Sequence, residues 1–578
     1  MVYFIIFELR GAKMKLDYKK TLKVGTAFAI VMVFWAAYDF VVPLLLENAY
    51  GLSNTMRGLI MGLDNLLSLF LLPLFGKFSD KTVTKYGKRT PYIVIGTLVT
   101  VLLMVFVPVS ANGQLKEATA LRNAITNTTA VDYSYTDDKG NTYDAEGLYT
   151  MLYNKGYENS DFCDHSYLKL NDIDNLEDYL DVALNPYINA DGTPSEDKNG
   201  DPVYSARYNN FVNSGLNTFA STQVNNKITM EKPASLIIYM VVLLLVLIAM
   251  ATFRSPAVAL MPDVTPKPLR SQANAMINLA GGFGGALAFI IYTVVLLVNP
   301  SGYIMIFGLV AASMLALLTA FLFLVKENKL VNECKLLCEE YGISNDEEEP
   351  AAKSTNGELL AGTDSEVRKL KKAKMVSFVL ILASIFMWFM GYNAISSNLS
   401  IYITKTLNLS PGLGGIISGV SMAISAIAFI PVGYLAVKIG RRKSIIIGFG
   451  LAIAAFLLIF IFAGNPSAYA MYLFTAFYLI AGFGLIIANV NTFPMVVELS
   501  STDTVGKYTG LYYTATMSAQ AITPFLAGIV MDQFGNKNLF LYSTICVALA
   551  VGLMFFVKHG DSRALPPKSK LEMLGADD

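Results

Sequence analysis

Apolar residues in this chain gather into long, nearly unbroken runs separated by polar intervals. Runs fall near 22–46, 54–78, 91–110, 234–262, 272–298, 302–325, 374–399, 412–436, 444–463, 468–494, 507–531 and 537–557. Each is close to the roughly 20 residues that carry a helix across a bilayer. None alternates polar and apolar positions as a barrel strand does, and an open strand would leave its backbone groups unsatisfied in lipid. The pattern predicts an all-α membrane protein with twelve transmembrane helices.

Composition sharpens this picture. Of 578 residues, 54% are hydrophobic and 15% are charged, against roughly 25% charged in a soluble chain. Net charge is zero, so no nucleic-acid partner is expected. The four cysteines (Cys163, Cys334, Cys338, Cys546) and two histidines (His165, His559) form no metal-binding spacing and no disulfide framework. Neither histidine lies in an apolar run, so proton chemistry inside the membrane falls to carboxylates. Gly281, Gly282, Gly284 and Gly285 follow no strand and precede no Lys-Ser/Thr, so they are a close-packing stretch, not a phosphate loop. No nucleophile–histidine pair or nucleotide fingerprint occurs; neither enzymatic activity nor a cofactor is expected.

Lysine and arginine set the expected orientation. They crowd the N-terminal stretch (Lys13, Lys15, Lys19, Lys20, Lys23), the interval after the second run (Lys81, Lys85, Lys88, Arg89) and the one after the eighth (Lys438, Arg441, Arg442, Lys443). Both termini are therefore expected in the cytoplasm. The expected organisation is a cytoplasmic segment 1–21, a six-helix bundle 22–325, a cytoplasmic linker 326–373, a second bundle 374–557 and a cytoplasmic tail 558–578. Met14 is an alternative start. An insertion at 111–233 interrupts the first bundle on the extracytoplasmic side. It carries 19 acidic and 9 basic residues and reads as a small cap or partly ordered loop. An incomplete calcium-loop spacing lies at Asp197, Asn199 and Asp201.

The two halves resemble each other. Trp35, Tyr38 and Asp39 in the first run parallel Trp388, Tyr392 and Asn393 in the seventh, and these are the only two tryptophans. Gly58, Gly62, Asp64 and Pro73 align with Gly415, Gly419, Ser421 and Pro431, and Gly76…Gly87-Lys88-Arg89 with Gly433…Gly440-Arg441-Arg442. An internal repeat of this order points to two pseudo-symmetric six-helix bundles. Asp39 and Asp64 face neutral Asn393 and Ser421 in the alignment, so charge handling is expected in the first half and hydrogen bonding in the second.

Residues 61–97, MGLDNLLSLFLLPLFGKFSDKTVTKYGKRTPYIVIGT, resemble the major facilitator signature after helix two. In detail they resemble the glycoside–pentoside–hexuronide:cation symporters and the sucrose–proton symporters, as does RSPAVALMPDVTPKPLRSQANA at 254–275. The resemblance spans the helical core and leaves out 111–233. It implies the major facilitator fold, alternating access around a central cavity, and proton-driven uptake of a glycoside. It also implies a gate latch at Gly76, Asp80, Gly87, Lys88 and Arg89, with Gly440, Arg441 and Arg442 as the second copy; Val437 replaces the acid of that copy. Paired carboxylates of melibiose-type members are replaced here by Ser68 and Leu72, and the helix-four arginine of sucrose symporters by Val258.

Charged groups in the bilayer core are costly and usually face a cavity in pairs. Asp39, Asp64 and Arg254 are therefore the expected proton-coupling set, with a static ion pair as the structural alternative. One aspartate approaching and leaving Arg254 as the halves rock would load and release a proton. Trp35, Tyr38, Trp388, Tyr392 and Asn393 are the expected solute contacts, since aromatic faces suit the C–H face of a sugar. Plain packing or an interfacial belt is the alternative. The expected partners are a small solute (a sugar or glycoside), a co-transported proton and the lipid bilayer, with the chain as a monomer. A facilitator-type exporter of another solute and a transporter-like sensor are the competing readings.

Overall fold

In the computed structural model the described residues are 16–137, 139–189, 191–196, 203–266, 269–341, 364–407, 409–420, 439–462, 470–499 and 505–559. The first half contains helices α1 (Thr26–Tyr50), α2 (Asn54–Lys81), α3 (Thr90–Thr126), α4 (Ala234–Asp263), α5 (Arg270–Val298) and α6 (Tyr303–Leu324). A linker helix α7 (Glu327–Tyr341) follows. The second half contains α8 (Asp364–Ile401), α9 (Arg441–Phe462), α10 (Ala470–Glu498), α11 (Val505–Phe534) and α12 (Leu539–Phe555). Eleven helices among the described residues are long and apolar enough to cross a membrane. The remaining expected span, 412–436, is described only over Pro411–Val420; the aligned Ser421, Pro431, Gly433 and Val437 lie outside the described residues, as do Asp197, Asn199 and Asp201.

Glycine placement explains how the halves meet. Gly58 and Gly62 on α2 lie against the backbone carbonyls of Pro524 and Ala521 on α11, and Gly528 of α11 lies against the Asn54 carbonyl. The aligned pair Gly415 and Gly419 packs on Thr293 and Phe289 of α5. A β-carbon at any of these would collide, so the absent side chains let helices from opposite halves touch. The repeat seen in the sequence therefore marks both seams between the halves.

Helix α3 is longer than its apolar run. At about 1.5 Å per residue its 37 residues span on the order of 55 Å, against a hydrocarbon core of about 30 Å. The sequence expectation ended the helix near 110, because polar residues begin there. Residues 114–126 nevertheless contain good helix formers and no proline, and Gln114, Leu115, Ala118 and Ile125 give them a buried face. The helix thus continues beyond the apolar run and carries the insertion. The insertion forms a folded cap around Tyr149, Leu152, Tyr179, Val212, Leu216 and Phe219. It includes helices Ala145–Lys155, Leu176–Leu184 and Ser214–Val224, and a short hairpin pairing Tyr135–Thr136 with Thr142–Tyr143.

Candidate functional site

A cavity of about 210 Å³ lies between the halves. Its first-half wall is Met32, Trp35 and Asp39 of α1, Met61, Asp64 and Asn65 of α2, and Arg254 of α4. Its second-half wall is Asn393, Ser396 and Ser397 of α8, and Gln520 and Pro524 of α11. Every charged group is on one wall, and amides and hydroxyls make up the polar part of the other.

Helical geometry selects these residues. Positions 32, 35 and 39 repeat at three and four residues and share one face of α1, as do 393, 396 and 397 on α8. Asp64 is 7% exposed and accepts a hydrogen bond from Asn65 Nδ2 at 2.9 Å. The Asn393 side-chain amide donates back to the Phe389 carbonyl at 2.7 Å. The Arg254 guanidinium lies over the Trp35 ring, 5.0 Å from its centre.

Trp35, Asp39, Asp64, Arg254 and Asn393 are thus brought together. Tyr38 is not: it is 1% exposed and stacks on Phe34 with ring centres 5.8 Å apart. Trp388 is not either: it is 3% exposed and packs against Phe389 and Phe449. Trp388 lies five residues before Asn393, about 140° away around the helix, so the two cannot share a wall. Tyr392 is 43% exposed and is not among the residues of this cavity wall. Asn65, Ser396, Ser397, Met32 and Met61 escaped the sequence reading. A polar stripe at 393, 396 and 397 in an otherwise apolar helix was the available signal. Asp39, Asp64 and Arg254 all belong to the same half, so rigid rocking of the halves would not carry either aspartate toward the arginine.

The side bearing the insertion is closed by a second set of charges that sequence reading missed. Glu47, at the end of α1, ion-pairs with Arg57 of α2 and with Lys405 at the end of the seventh span, Lys372–Thr406; Arg122 of α3 lies 3.9 Å from the same carboxylate. Asp532 on α11 accepts the Asn54 and Thr55 backbone N–H groups at 2.8 Å each. The cap joins in: Asp164 pairs with Lys537, and Ser221 accepts from Lys405 Nζ at 3.2 Å. These residues sit at span ends beside polar loops, where a charge in the sequence reads as interfacial.

On the opposite side the glycine-bounded loop is held by the first half and the linker helix α7. Arg89 donates from Nε to Asp263 at 2.8 Å and from Nη2 to Asp80 at 2.5 Å, and Lys88 Nζ lies 3.1 Å from Asp263. The Glu327 carboxylate accepts the backbone N–H groups of Lys88, Arg89 and Thr90 and the Thr90 hydroxyl, at 2.7–3.1 Å. It thereby satisfies the otherwise unpaired N–H groups at the start of α3. Gly87 and Gly440, aligned in the repeat, both take positive φ (115° and 90°), a conformation glycine adopts without steric cost. Gly76 leaves room for Ser255 of α4. Arg442 donates to the Met554 and Phe555 carbonyls at 3.2 and 2.7 Å, capping the C-terminal end of α12. Arg441 precedes it at the start of α9.

Residues 228–524, more than half of the chain, match the Major Facilitator Superfamily, and residues 24–134 match "MFS/sugar transport protein". A probable nitrate transporter, NarT, of Staphylococcus epidermidis is 26% identical over 186 residues, 32% of this chain and 45% of that protein. The match thus spans less than half of that relative's length. Among solved structures, a bacterial homologue of the iron transporter ferroportin in an inward-facing state aligns with TM-score 0.53 and 14% identity, covering 94% of this chain and 99% of that one. A bacterial homologue of the human lysosomal transporter Spinster gives 0.52 and 11%, covering 94% and 97%. The inward-open xylose transporter XylE of E. coli gives 0.50 and 12%, covering 96% and 99%. At these identities the likeness establishes the shared fold.

Proposed function

The chain belongs to the Major Facilitator Superfamily and is an integral multi-pass membrane transporter, and from this premise we propose that it takes up a sugar or glycoside together with a proton. The observation that carries this reading is the division of the central cavity. Two carboxylates and a guanidinium line one wall, and Asn393, Ser396, Ser397 and Gln520 face them from the other. Hydroxyls and amides suit the hydroxyls of a sugar, and the partly buried Trp35 ring in the cavity wall suits its apolar face. Asp39 and Asp64 are the cavity groups able to carry a proton. Their access to water alternates as the halves rock, so proton and solute favour the same states. The resemblance of residues 61–97 and 254–275 to glycoside symporters supports the sugar class. The basic intervals support cytoplasmic termini and an outward-facing cap.

Sugar-evoked proton uptake into proteoliposomes tests the reading, with Asp39→Asn and Asp64→Asn beside the parent protein. External alkalinisation on adding a glycoside, abolished in either variant, is the expected result. Folded protein that moves no proton with any sugar or glycoside would count against it and favour a facilitator or exporter of another solute.

A further inference from the structure

The cap touches both halves but belongs to one. It is continuous with α3 and α4 and rests on the end of α1, where the Tyr50 carbonyl accepts from Asn225 Nδ2 at 3.2 Å and from Thr229 Oγ1 at 2.9 Å. It therefore travels with the first half. It reaches the second half through polar contacts. Asp164 pairs with Lys537, the Ser214 hydroxyl donates to the Lys405 carbonyl at 3.1 Å, and Ser221 accepts from Lys405 Nζ at 3.2 Å. Opening the side that bears the cap must break each of these contacts. A helical core without the insertion would have none of them.

One carboxyl at this seam is left over. Asp161 is partly buried, with Oδ1 beside Gly535 of the second half. Among the described residues its carboxylate makes no hydrogen bond and no ion pair. It lines a cleft of about 130 Å³ together with Asp164, Tyr167, Thr406 and Lys537, and through this cleft a proton can reach it. The charges around it are already committed: Asp532 to the Asn54 and Thr55 N–H groups across the seam, Lys405 to Glu47, and Lys537 to Asp164. Tyr167 and Cys163 of the same cleft stay neutral, each pushed up to about 12 by burial. An ionised Asp161 thus faces the Asp532 carboxylate with no counter-ion of its own. A proton on Asp161 removes that repulsion, and so does separation of the halves. Acid therefore favours the closed seam, and the ionised form favours opening. We propose that the cap is a strap across the gate on its own side, and that ionisation of Asp161 loosens the strap as that side becomes less acid. This rests on alternating access and not on which solute is carried, and its proton is distinct from that of the cavity.

Alkylation at the seam tests this in the full chain. Thr406→Cys places a thiol in the cleft, at a buried hydroxyl that has no partner among the described residues; the native cysteines are buried. Its rate of reaction with a maleimide, located by mass spectrometry, reports opening of the seam even when the open state is rare. Dividing that rate by the rate of the same thiol with Asp161→Asn cancels the thiol's own pH dependence. Burial holds the Asp161 carboxyl at about 6 in the closed seam, and exposure returns it to 3.8, so the ratio should rise about tenfold from pH 5 to pH 7.5. Asp161→Ser gives the same comparison if Asp161→Asn does not fold. The rise should persist when Asp39→Asn and Asp64→Asn neutralise the cavity. Lys537→Ala, which removes one tie, should speed alkylation at both pH values. A flat ratio, or one that flattens once the cavity aspartates are neutral, would overturn the role of Asp161. A Lys537→Ala rate equal to the parent's would overturn the strap. Either failure leaves sugar–proton symport standing.

Discussion

Asp161 lies on the cap where it meets the second half, outside the membrane spans. Burial first, and then the neighbouring Asp532 and Asp164, push its carboxyl from 3.8 up to about 6, against the opposing pull of Lys405 and Lys537. The folded protein therefore binds this proton more tightly than the unfolded chain does. Its contribution to stability is full below pH 4 and is lost as pH rises toward 6. Unfolding midpoints of Asp161→Asn and the parent, measured between pH 4 and 7, should converge at the acid end, separate as pH rises toward 6 and stay apart above it, with the variant more stable. Parallel curves would show that the carboxyl is not shifted. At this scale Asp39, Asp64 and Arg254 were legible because a charge inside an apolar run stands out. The roles of Tyr38 and Trp388 were not, since an aromatic residue has the same identity whether it faces a cavity or a neighbouring helix.

The start of α3 shows what one carboxylate does for an element. Glu327 reaches from α7 to four donors around Thr90, and Glu327→Gln would turn an N–H of its own toward one of them. A destabilisation of about 2 kcal/mol is expected, in the range for hydrogen bonds to a charged group, together with easier proteolysis of the 82–89 loop. A thermal midpoint unchanged in detergent would contradict this cap. Glu327 was invisible in the sequence because its partner lies more than two hundred positions earlier. The helix–helix seams were visible in part. Gly58/Gly62 and Gly415/Gly419 stood out as a repeat, but which helix each would meet followed only from the assembled bundles.

For the whole molecule, the side bearing the cap is closed by Glu47, Lys405, Asn54 and Asp532, with Asp164–Lys537 binding the cap to the second half. Alternating access requires these contacts to break together. Lys405→Met leaves the buried Glu47 with fewer partners, and losing one member of a buried pair typically costs about 3–5 kcal/mol. Spin labels at Met56→Cys and Gln533→Cys should therefore move apart in the Lys405→Met background; the native cysteines are buried. Gly58→Leu should separate the same labels by steric collision with Pro524 and slow transport without unfolding the protein. Distances that stay at the parent value in both backgrounds would mean that the seam is held elsewhere.

Span number, helical class and the paired halves followed from the sequence alone, because a bilayer imposes a length and an apolar content on every crossing segment and a repeat is written in residue order. That the charges belong to the first half was already written in the aligned pairs Asp39/Asn393 and Asp64/Ser421, whereas which polar residues share the cavity came only from the tertiary structure. So did the closing of the cap side around Glu47. Contacts between residues hundreds of positions apart leave no periodicity to read, and the same aspartate or arginine can pair, cap or face a cavity according to what the packed helices bring beside it.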